Sequence, residues 1–335
     1  MAKIRFDALP KTLQDRLTEF RDDFISVFSA GIPYVWAEDV ANVIETDAPK
    51  VRLTLSLDAA GYQEFKDEYN YRELDGRELS LVKKLWNDGV KAKADQLKQS
   101  DYLGFAQQPR VLAEYALRLP NKWCAAVLEA NPLLEMYRKP DTGAASTINL
   151  FHASHPVNIF KSSLGTFGNT GTANLVGVGG FTLANVTLWA KHFASILSPS
   201  GDSMGLQLTH VGVPRNRMVE ANAFFANDLV VQAIRNAANT DNVGGVMVRN
   251  NYNGSVTPVV MDELTNVNDV YPMSLTKAAS GLLPLGVIIG ATPETNILDE
   301  NSAMYETTRH VAVNAVVEGY AGAMFPHPIA KVTLS

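Results

Sequence analysis

Charge is distributed very unevenly along this chain of 335 residues. Residues 1–140 contain 20 Lys and Arg and 22 Asp and Glu, whereas residues 141–335 contain only 9 and 13. About one residue in four is charged in an average domain, so the second part has fewer charges than a free surface of its size normally carries. Either its surface is rich in uncharged polar residues such as asparagine, or other subunits cover part of it. We favour the second interpretation.

The overall composition is that of a folded protein, with 46% hydrophobic residues, 19% charged residues and a net charge of −6. These values exclude disorder along the whole length and argue against a protein that binds nucleic acid through a basic face. The chain exceeds the length at which one core usually stops growing, so we expect two lobes. Its single cysteine, Cys124, excludes an internal disulfide framework and indicates a reducing compartment.

Neither a targeting signal nor a membrane span is visible in the sequence. The first seven residues carry charge but no apolar run follows them. The longest apolar stretch, residues 281–291, is interrupted by Pro284 and is much shorter than the roughly 20 residues that cross a bilayer. We therefore expect a soluble cytoplasmic chain without a membrane partner.

Apolar residues recur at helical spacing in four segments. These segments are residues 13–28, 109–131, 182–196 and 214–225. Pro120 predicts a kink or a break within the second. The first precedes any other core element, and its apolar stripe contains Phe20, Phe24 and Phe28. That stripe must pack either on the chain's own core or on a neighbouring subunit.

Strands are predicted where apolar residues alternate with polar ones or form short runs. They lie at residues 51–57, 206–213, 256–261, 284–290 and 311–317. Residues 79–98 are ambiguous, because Val82, Trp86 and Val90 fit a helix although Asn87-Asp88-Gly89 is a turn signal. Helices and strands interleave irregularly, so the predicted class is mixed α+β.

Residues 201–205, Gly-Asp-Ser-Met-Gly, match the G-x-S-x-G turn that presents a hydrolase serine. That turn needs a strand before it and a helix after it, whereas here a predicted helix precedes and a predicted strand follows. A polar turn explains the same residues. A serine hydrolase that uses Ser203 is therefore the weaker alternative.

His152 and His155 are three residues apart, a spacing that would bring both to one metal on a helix. Pro156 argues against a helix, and no third ligand is identifiable nearby, so we favour structural histidines that form hydrogen bonds. Gly177–Gly180 precede a helix but lack the lysine of a phosphate-binding loop. We predict no catalytic, cofactor-binding or metal-binding residue.

One segment of the sequence is rich in lysine. It contains Lys83, Lys84, Lys91, Lys93 and Lys98. Asp88, Asp95 and Asp101 balance these charges, which favours a solvated face or an ion-paired subunit contact over binding of nucleic acid.

Three segments, in a fixed order, carry a family resemblance. The first runs from Trp86 to Gly104 and into Pro109–Asn131, with Leu-Pro at 119 and 120. The second is Leu150-Phe-His-Ala-Ser-His-Pro-Val-Asn158. The third begins with Phe181-Thr-Leu183 and continues through Gly205–Pro214 to a helix ending at Phe225. Together they resemble the major capsid proteins of tailed bacteriophages, specifically the Mu-like major head subunit group.

The resemblance implies the fold shared by tailed-phage capsids and encapsulins, which combines an N-terminal arm, an extended hairpin called the E-loop, a peripheral domain with a long spine helix, and an axial domain. The implied boundaries are 1–48 for the arm, 49–100 for the E-loop, 101–180 for the peripheral domain with its spine helix at 106–131, 181–305 for the mainly axial domain, and 306–335 for the return to the peripheral domain. Residues 79–98 then form the return limb of the hairpin.

The implied function is structural: hexamers and pentamers of this chain form an icosahedral shell around double-stranded DNA, in a virion assembled in the cytoplasm of the host bacterium. The implied partners are other copies, scaffold, portal and decoration proteins, and DNA bound without sequence specificity; no cofactor and no enzymatic activity are implied. An encapsulin-like compartment shell is the alternative. We expect aromatic residues of the arm and hairpin to contact neighbouring subunits. They are Phe20, Phe24, Phe28, Tyr62, Phe65, Tyr69, Tyr71 and Trp86.

Overall fold

The computed structural model confirms the mixed α+β class. It describes residues 13–31, 36–54, 78–94, 97, 103–138, 146–158, 162–170, 180–235, 242–275, 282–290, 293–298 and 307–334. The helices are α1 (Leu13–Ala30), α2 (Ala37–Val40), α3 (Leu103–Leu117), α4 (Leu119–Ala130), α5 (Leu183–Ser195) and α6 (Met218–Ala226). The strands are β1 (Ala41–Glu45), β2 (Lys50–Thr54), β3 (Glu78–Val82), β4 (Lys84–Lys93), β5 (His155–Pro156), β6 (Thr166–Phe167), β7 (His210–Val213), β8 (Leu229–Arg235), β9 (Asn242–Arg249), β10 (Thr257–Val260), β11 (Asp269–Met273), β12 (Leu285–Ile289), β13 (Glu294–Leu298), β14 (His310–Ala323) and β15 (Val332–Thr333).

The helical segment predicted over residues 109–131 consists of two helices. Arg118 occupies the N-cap of α4, and Pro120 lies in the first turn of that helix. A proline is tolerated there because its missing N–H would have no partner within the helix. The predicted break is therefore confirmed. It lies at Arg118, two residues before Pro120.

The two later helices begin with clear local signals. Thr182 caps α5, since its side chain accepts a hydrogen bond from the backbone N–H of Asn185. α6 begins at Met218 and not directly after Pro214, because Arg215–Arg217 form a turn of 3₁₀-helix between them.

The larger sheet has the long strand β14 at its centre. β12 and β13 pair antiparallel with one edge of β14, β4 pairs antiparallel with the other, and β1 pairs parallel with β12. Gly319 of β14, for example, pairs with Ile289 of β12 on one side and with Lys84 of β4 on the other. α4 packs on the same strand, and a Cβ atom at Gly319 would overlap the ring of Trp123. Only glycine allows the helix to approach so closely.

The ambiguous segment 79–98 is extended over most of its length. β3 pairs antiparallel with β2, whereas β4 pairs with β14 and so belongs to the larger sheet. The helical spacing of Val82, Trp86 and Val90 is misleading, because non-local pairing with β14 overrides local periodicity. Residues 55–77, between β2 and β3, lie outside the described residues. Four of the predicted contact residues are there: Tyr62, Phe65, Tyr69 and Tyr71.

The buried apolar side chains form two clusters, as expected for two lobes. The larger cluster surrounds α1, α3, α4 and the larger sheet. The smaller cluster lies around a second sheet, with the order β10-β7-β11-β15, and includes Trp189 and Phe193 of α5 and Phe225 of α6. The strands predicted at 256–261, 284–290 and 311–317 are confirmed as β10, β12 and β14, whereas the strand predicted at 206–213 is reduced to β7.

Asn169 joins two distant segments of the chain and is itself fully buried. Its side-chain nitrogen donates to the carbonyl oxygens of Leu150, Pro326 and Ile329 at 2.9–3.1 Å. Its side-chain oxygen accepts from the backbone N–H of His152 and lies 2.9 Å from Nε2 of His155. One amide therefore links the His152–His155 segment to the C-terminal segment around Ile329.

Two buried histidines flank one phenylalanine beside this amide. The ring of Phe167 lies 5.0 Å from that of His155 and 4.7 Å from that of His327. Among the described residues, neither ring nitrogen of His327 has a hydrogen-bond partner. Burial lowers the pKa of His155 to about 4 and that of His327 to about 3, so both rings are neutral in the folded chain.

Replacing the joining amide tests how much it stabilises the chain. Asn169→Ala leaves several buried carbonyl groups without a donor, so we expect the free energy of unfolding to fall by about 2–4 kcal/mol. Urea unfolding followed by tryptophan fluorescence measures this. Asn222→Ala, at an exposed position of α6, is the control and should change stability by less than about 0.5 kcal/mol. Equal effects of the two substitutions would contradict the role of Asn169.

The neutral histidines predict that acid destabilises the chain. A histidine in an unfolded chain has a pKa of about 6.5, so below that pH the unfolded state binds more protons than the folded state. The stability that these groups contribute is complete above about pH 6.5 and is lost as the pH falls towards the folded values. The urea midpoint should therefore fall between about pH 7 and about pH 5.

A single substitution isolates this contribution. His327→Phe keeps a ring against Phe167 but cannot be protonated, so the decrease in the urea midpoint on acidification should become smaller. His310→Gln, near the surface at the start of β14, is the control and should leave the decrease in the urea midpoint unchanged. A decrease that is the same in the wild type and in His327→Phe would show that His327 does not contribute.

Candidate subunit interface

The phenylalanines of α1 do not form a free surface. Phe20 and Phe24 are 2% and 1% exposed and belong, with Leu17, to the larger core, where α1 packs against α3. This corrects the expectation that both rings contact neighbouring subunits, because a ring buried in its own chain has no surface left to offer. Phe28 stacks on Phe24 with ring centroids 6.1 Å apart and is half-buried.

Asp23 of α1 lies close enough to α3 to interact with it electrostatically. Burial and the neighbouring Glu19 raise the pKa of Asp23, whereas Arg110 of α3 lowers it. Ile25 remains 43% exposed on the outer side of α1. The stripe thus packs on the chain's own core, which is one of the two alternatives that its spacing allowed.

Trp86 on β4 is held by its own chain and remains partly open to solvent. Its Nε1–H donates to the carbonyl oxygen of Gly319 at 3.0 Å, and its ring lies 5.8 Å from that of Trp123. The side chain is nevertheless 38% exposed. Trp86 therefore has a fixed orientation and an uncovered face, as an anchor residue of an interface would have.

A groove of about 300 Å³ lies beside Trp86, between β4 and the helices α3 and α4. Tyr115 of α3 is 53% exposed along it, and the ammonium group of Lys122 lies 5.1 Å from the centre of the Tyr115 ring. Leu112, Leu119, Val317 and two alanines form the rest of its apolar lining. The groove combines aromatic side chains with one cation and the carboxylate of Asp88, and aromatic residues are enriched at protein interfaces.

A second apolar surface lies on the hairpin of β8 and β9, which pair only with each other among the described strands. Val231 pairs with Met247, and these side chains are 65% and 56% exposed. Leu229 on the same strand is 52% exposed, whereas Val230, which points to the other face, packs on the smaller core. A two-stranded ribbon is marginally stable alone in water, so this exposed face favours further contact.

This hairpin is not among the elements predicted from the sequence. Its signal consists of two short apolar runs rich in valine, Leu229–Val231 and Val246–Val248, on either side of a stretch rich in asparagine. Neither run alternates strictly, and the predicted helix ending at Phe225 directly precedes the first. The short runs flanking a polar turn were the available evidence for a hairpin.

The motifs associated with catalysis and metals have structural roles where they are described. Oγ of Ser203 accepts the backbone N–H of Gly205 at 3.2 Å, in a turn that follows α5 and precedes β7. This order of elements is the reverse of the hydrolase arrangement.

The described residues contain no group of three or more His, Cys, Asp or Glu side chains that could hold a metal ion. Within the same residues, no helix is both long enough and apolar enough to span a membrane.

The comparisons with known proteins concern the fold. No protein-family model matches the chain, and no curated protein matches it either. Among solved structures, a chain of the procapsid of bacteriophage JBD30 aligns with a TM-score of 0.52 at 12% identity, over 96% of this chain and 75% of that one. Chains from Microbacterium phage Oxtober96 and from the capsid of an empty GTA particle align with TM-scores of 0.48 and 0.47, at 11% and 10% identity. They cover 100% and 91% of this chain, and 96% and 92% of their own. The alignment with the JBD30 procapsid chain shows that this chain has the fold of a phage capsid protein.

Proposed function

We propose that this chain is the major capsid (head) protein of a tailed bacteriophage of the Mu-like group. Its copies assemble into hexamers and pentamers of an icosahedral shell that encloses double-stranded DNA in the virion. The observation that carries the proposal is the fold, which a chain of the JBD30 procapsid shares over 96% of this chain.

The surface of the subunit supports assembly. Trp86 and Tyr115 beside the groove, and Val231 and Met247 on the hairpin, expose between 38% and 65% of their side chains. Grouped apolar side chains at a surface are typical of a protein–protein contact. The low charge of residues 141–335 agrees with a lobe that meets its neighbours.

We also propose how the chain is divided into domains and which proteins bind the assembled shell. Residues 1–48 form the arm, 49–100 the E-loop, 101–180 and 306–335 the peripheral domain, and 181–305 mainly the axial domain. Trp86 and four other aromatic residues of the E-loop contact neighbouring subunits. These four are Tyr62, Phe65, Tyr69 and Tyr71. Scaffold, portal and decoration proteins bind the shell during and after its assembly in the bacterial cytoplasm.

The relation to DNA is non-specific in this proposal. The net charge of −6 repels the phosphate backbone, so packaged DNA does not adhere to the inner wall. The subunit needs no cofactor and carries out no reaction in this role.

The assembly state of the purified protein tests the proposal directly. We expect size-exclusion chromatography and negative-stain microscopy to reveal rings or shells, either from the protein alone or after co-expression with a scaffold. A folded monomer that forms neither under both conditions would contradict the proposal. Nuclease-protected double-stranded DNA inside natural particles is the expected content, whereas a packaged enzyme without DNA would identify an encapsulin-like compartment.

The exposed face of the hairpin provides a variant test. Val231→Lys combined with Met247→Glu places an opposite pair of charges on this face without touching a buried residue, so we expect a nearly unchanged thermal midpoint and a loss of assembled particles. The control is Val231→Ile with Met247→Leu, which keeps the face apolar and should assemble normally. Normal assembly of the charged variant would exclude this face from the subunit contacts.

A further inference from the structure

The two edges of the larger sheet carry opposite charge. β4 forms one edge and exposes Lys84, Lys91 and Lys93, with Asp88 as the only acidic residue of the strand. Lys84 lies 4.0 Å from the centre of the Tyr320 ring. Lys91 and Lys93 have no ion-pair partner within the described part of the chain.

The opposite edge is acidic. It consists of β1 with the residues before and after it, and residues 36–49 contain no Lys or Arg. The acidic residues of this stretch are Glu38, Asp39, Glu45 and Asp47. Glu45 and Asp47 are exposed and form no ion pair with any described residue.

Apolar surface lies beside the charges on both edges of the sheet. A groove of about 930 Å³ runs beside β1, with Val43, Ile44 and Leu53 in its lining and with Glu38 and Glu45 among its polar residues. On the basic edge, Leu85 is 71% exposed next to Lys84. One edge therefore presents an apolar side chain beside lysines, and the other presents an apolar groove beside carboxylates.

We propose that the basic β4 edge of one copy contacts the acidic β1 edge of the next copy, with Leu85 directed to the groove beside β1. This inference rests on the proposed function as a self-assembling subunit. Because the two surfaces lie on opposite edges of one sheet, the contact is heterologous and repeats from copy to copy. A repeated heterologous contact closes into a ring when its rotation permits, as a hexamer or a pentamer requires.

The charges define which edges meet. Single exposed ion pairs contribute little, but like charges placed opposite each other oppose association strongly. The arrangement thus favours β4 against β1 and disfavours β4 against β4 or β1 against β1. It also predicts that 1 M salt, at which the Debye length is only about 3 Å, slows ring formation.

Charge reversal tests the contact. Lys91→Glu with Lys93→Glu makes the unpaired charges of both edges acidic, and Glu45→Lys with Asp47→Lys makes the unpaired charges of both edges basic. Each double variant should keep its thermal midpoint and reduce the assembled fraction at least about tenfold, because like charges then face each other. The quadruple variant, which exchanges the signs at these four positions, should assemble as the wild type does. Lys191→Glu, an exposed position on α5, is the control and should assemble normally.

A mixture of the two double variants gives a second readout. Copies with acidic residues at positions 45, 47, 91 and 93 and copies with lysines at all four must alternate around a ring, and alternation closes only with an even number of subunits. We expect the mixture to form six-membered rings by negative-stain microscopy and native mass spectrometry, and no five-membered rings.

The outcomes separate this inference from the proposed function. If the wild type assembles but the quadruple variant and the mixture stay monomeric and folded, the edge contact is wrong and the proposed function stands. Normal assembly of either double variant would also overturn the edge contact. A wild type that never assembles would overturn the proposed function itself.

Discussion

The contact between Trp123 of α4 and the backbone of Gly319 determines how the larger lobe is built. β14 pairs with other strands along both of its edges, so other elements can pack only on its faces. The residues on these faces therefore set the positions of the elements that pack there. A side chain at Gly319 would exclude the Trp123 ring, and one at Gly322 would exclude Leu81 of β3. The glycines thus allow both the helix and the hairpin base to approach the strand closely. With Trp123 in place, Trp86 packs against its ring and the groove beside Tyr115 is formed.

The Leu150–Asn158 segment, which carries much of the family resemblance, has a physical reason for its composition. Its backbone and His155 bind the amide of Asn169, and the same amide binds the C-terminal segment through Pro326 and Ile329. His155 and Asn169 are the two side chains of this network and both are buried, so an apolar substitution at either would leave buried polar groups without a hydrogen bond. The pair of histidines that suggested a metal site by spacing is instead explained by this packing. Structural demands alone are sufficient to account for such a motif.

Local signals predicted the helices longer than one turn, because the hydrogen bonds and caps of a helix lie within its own segment. The break before Pro120 and the cap at Thr182 follow from single residues. Pairing between distant strands was harder to predict: β4 has a helical spacing of apolar residues, and only its partner β14 makes it a strand. The same limit applies to Phe20 and Phe24, whose spacing gives an apolar stripe but not the surface it packs on. The β8–β9 hairpin was missed because neither of its strands alternates strictly.

The uneven distribution of charge acquires a physical interpretation from the fold. Both charged edges of the larger sheet lie within the first 140 residues, and the sparsely charged part supplies the apolar hairpin face of β8 and β9. Apolar contact is strong but has little directional preference, whereas opposite charges reject wrong orientations even when they add little affinity. In the proposed assembly the two parts of the chain therefore have different tasks. The second part stabilises contact between copies, and the edges of the first determine that each copy meets the next in one orientation, which a closed ring requires.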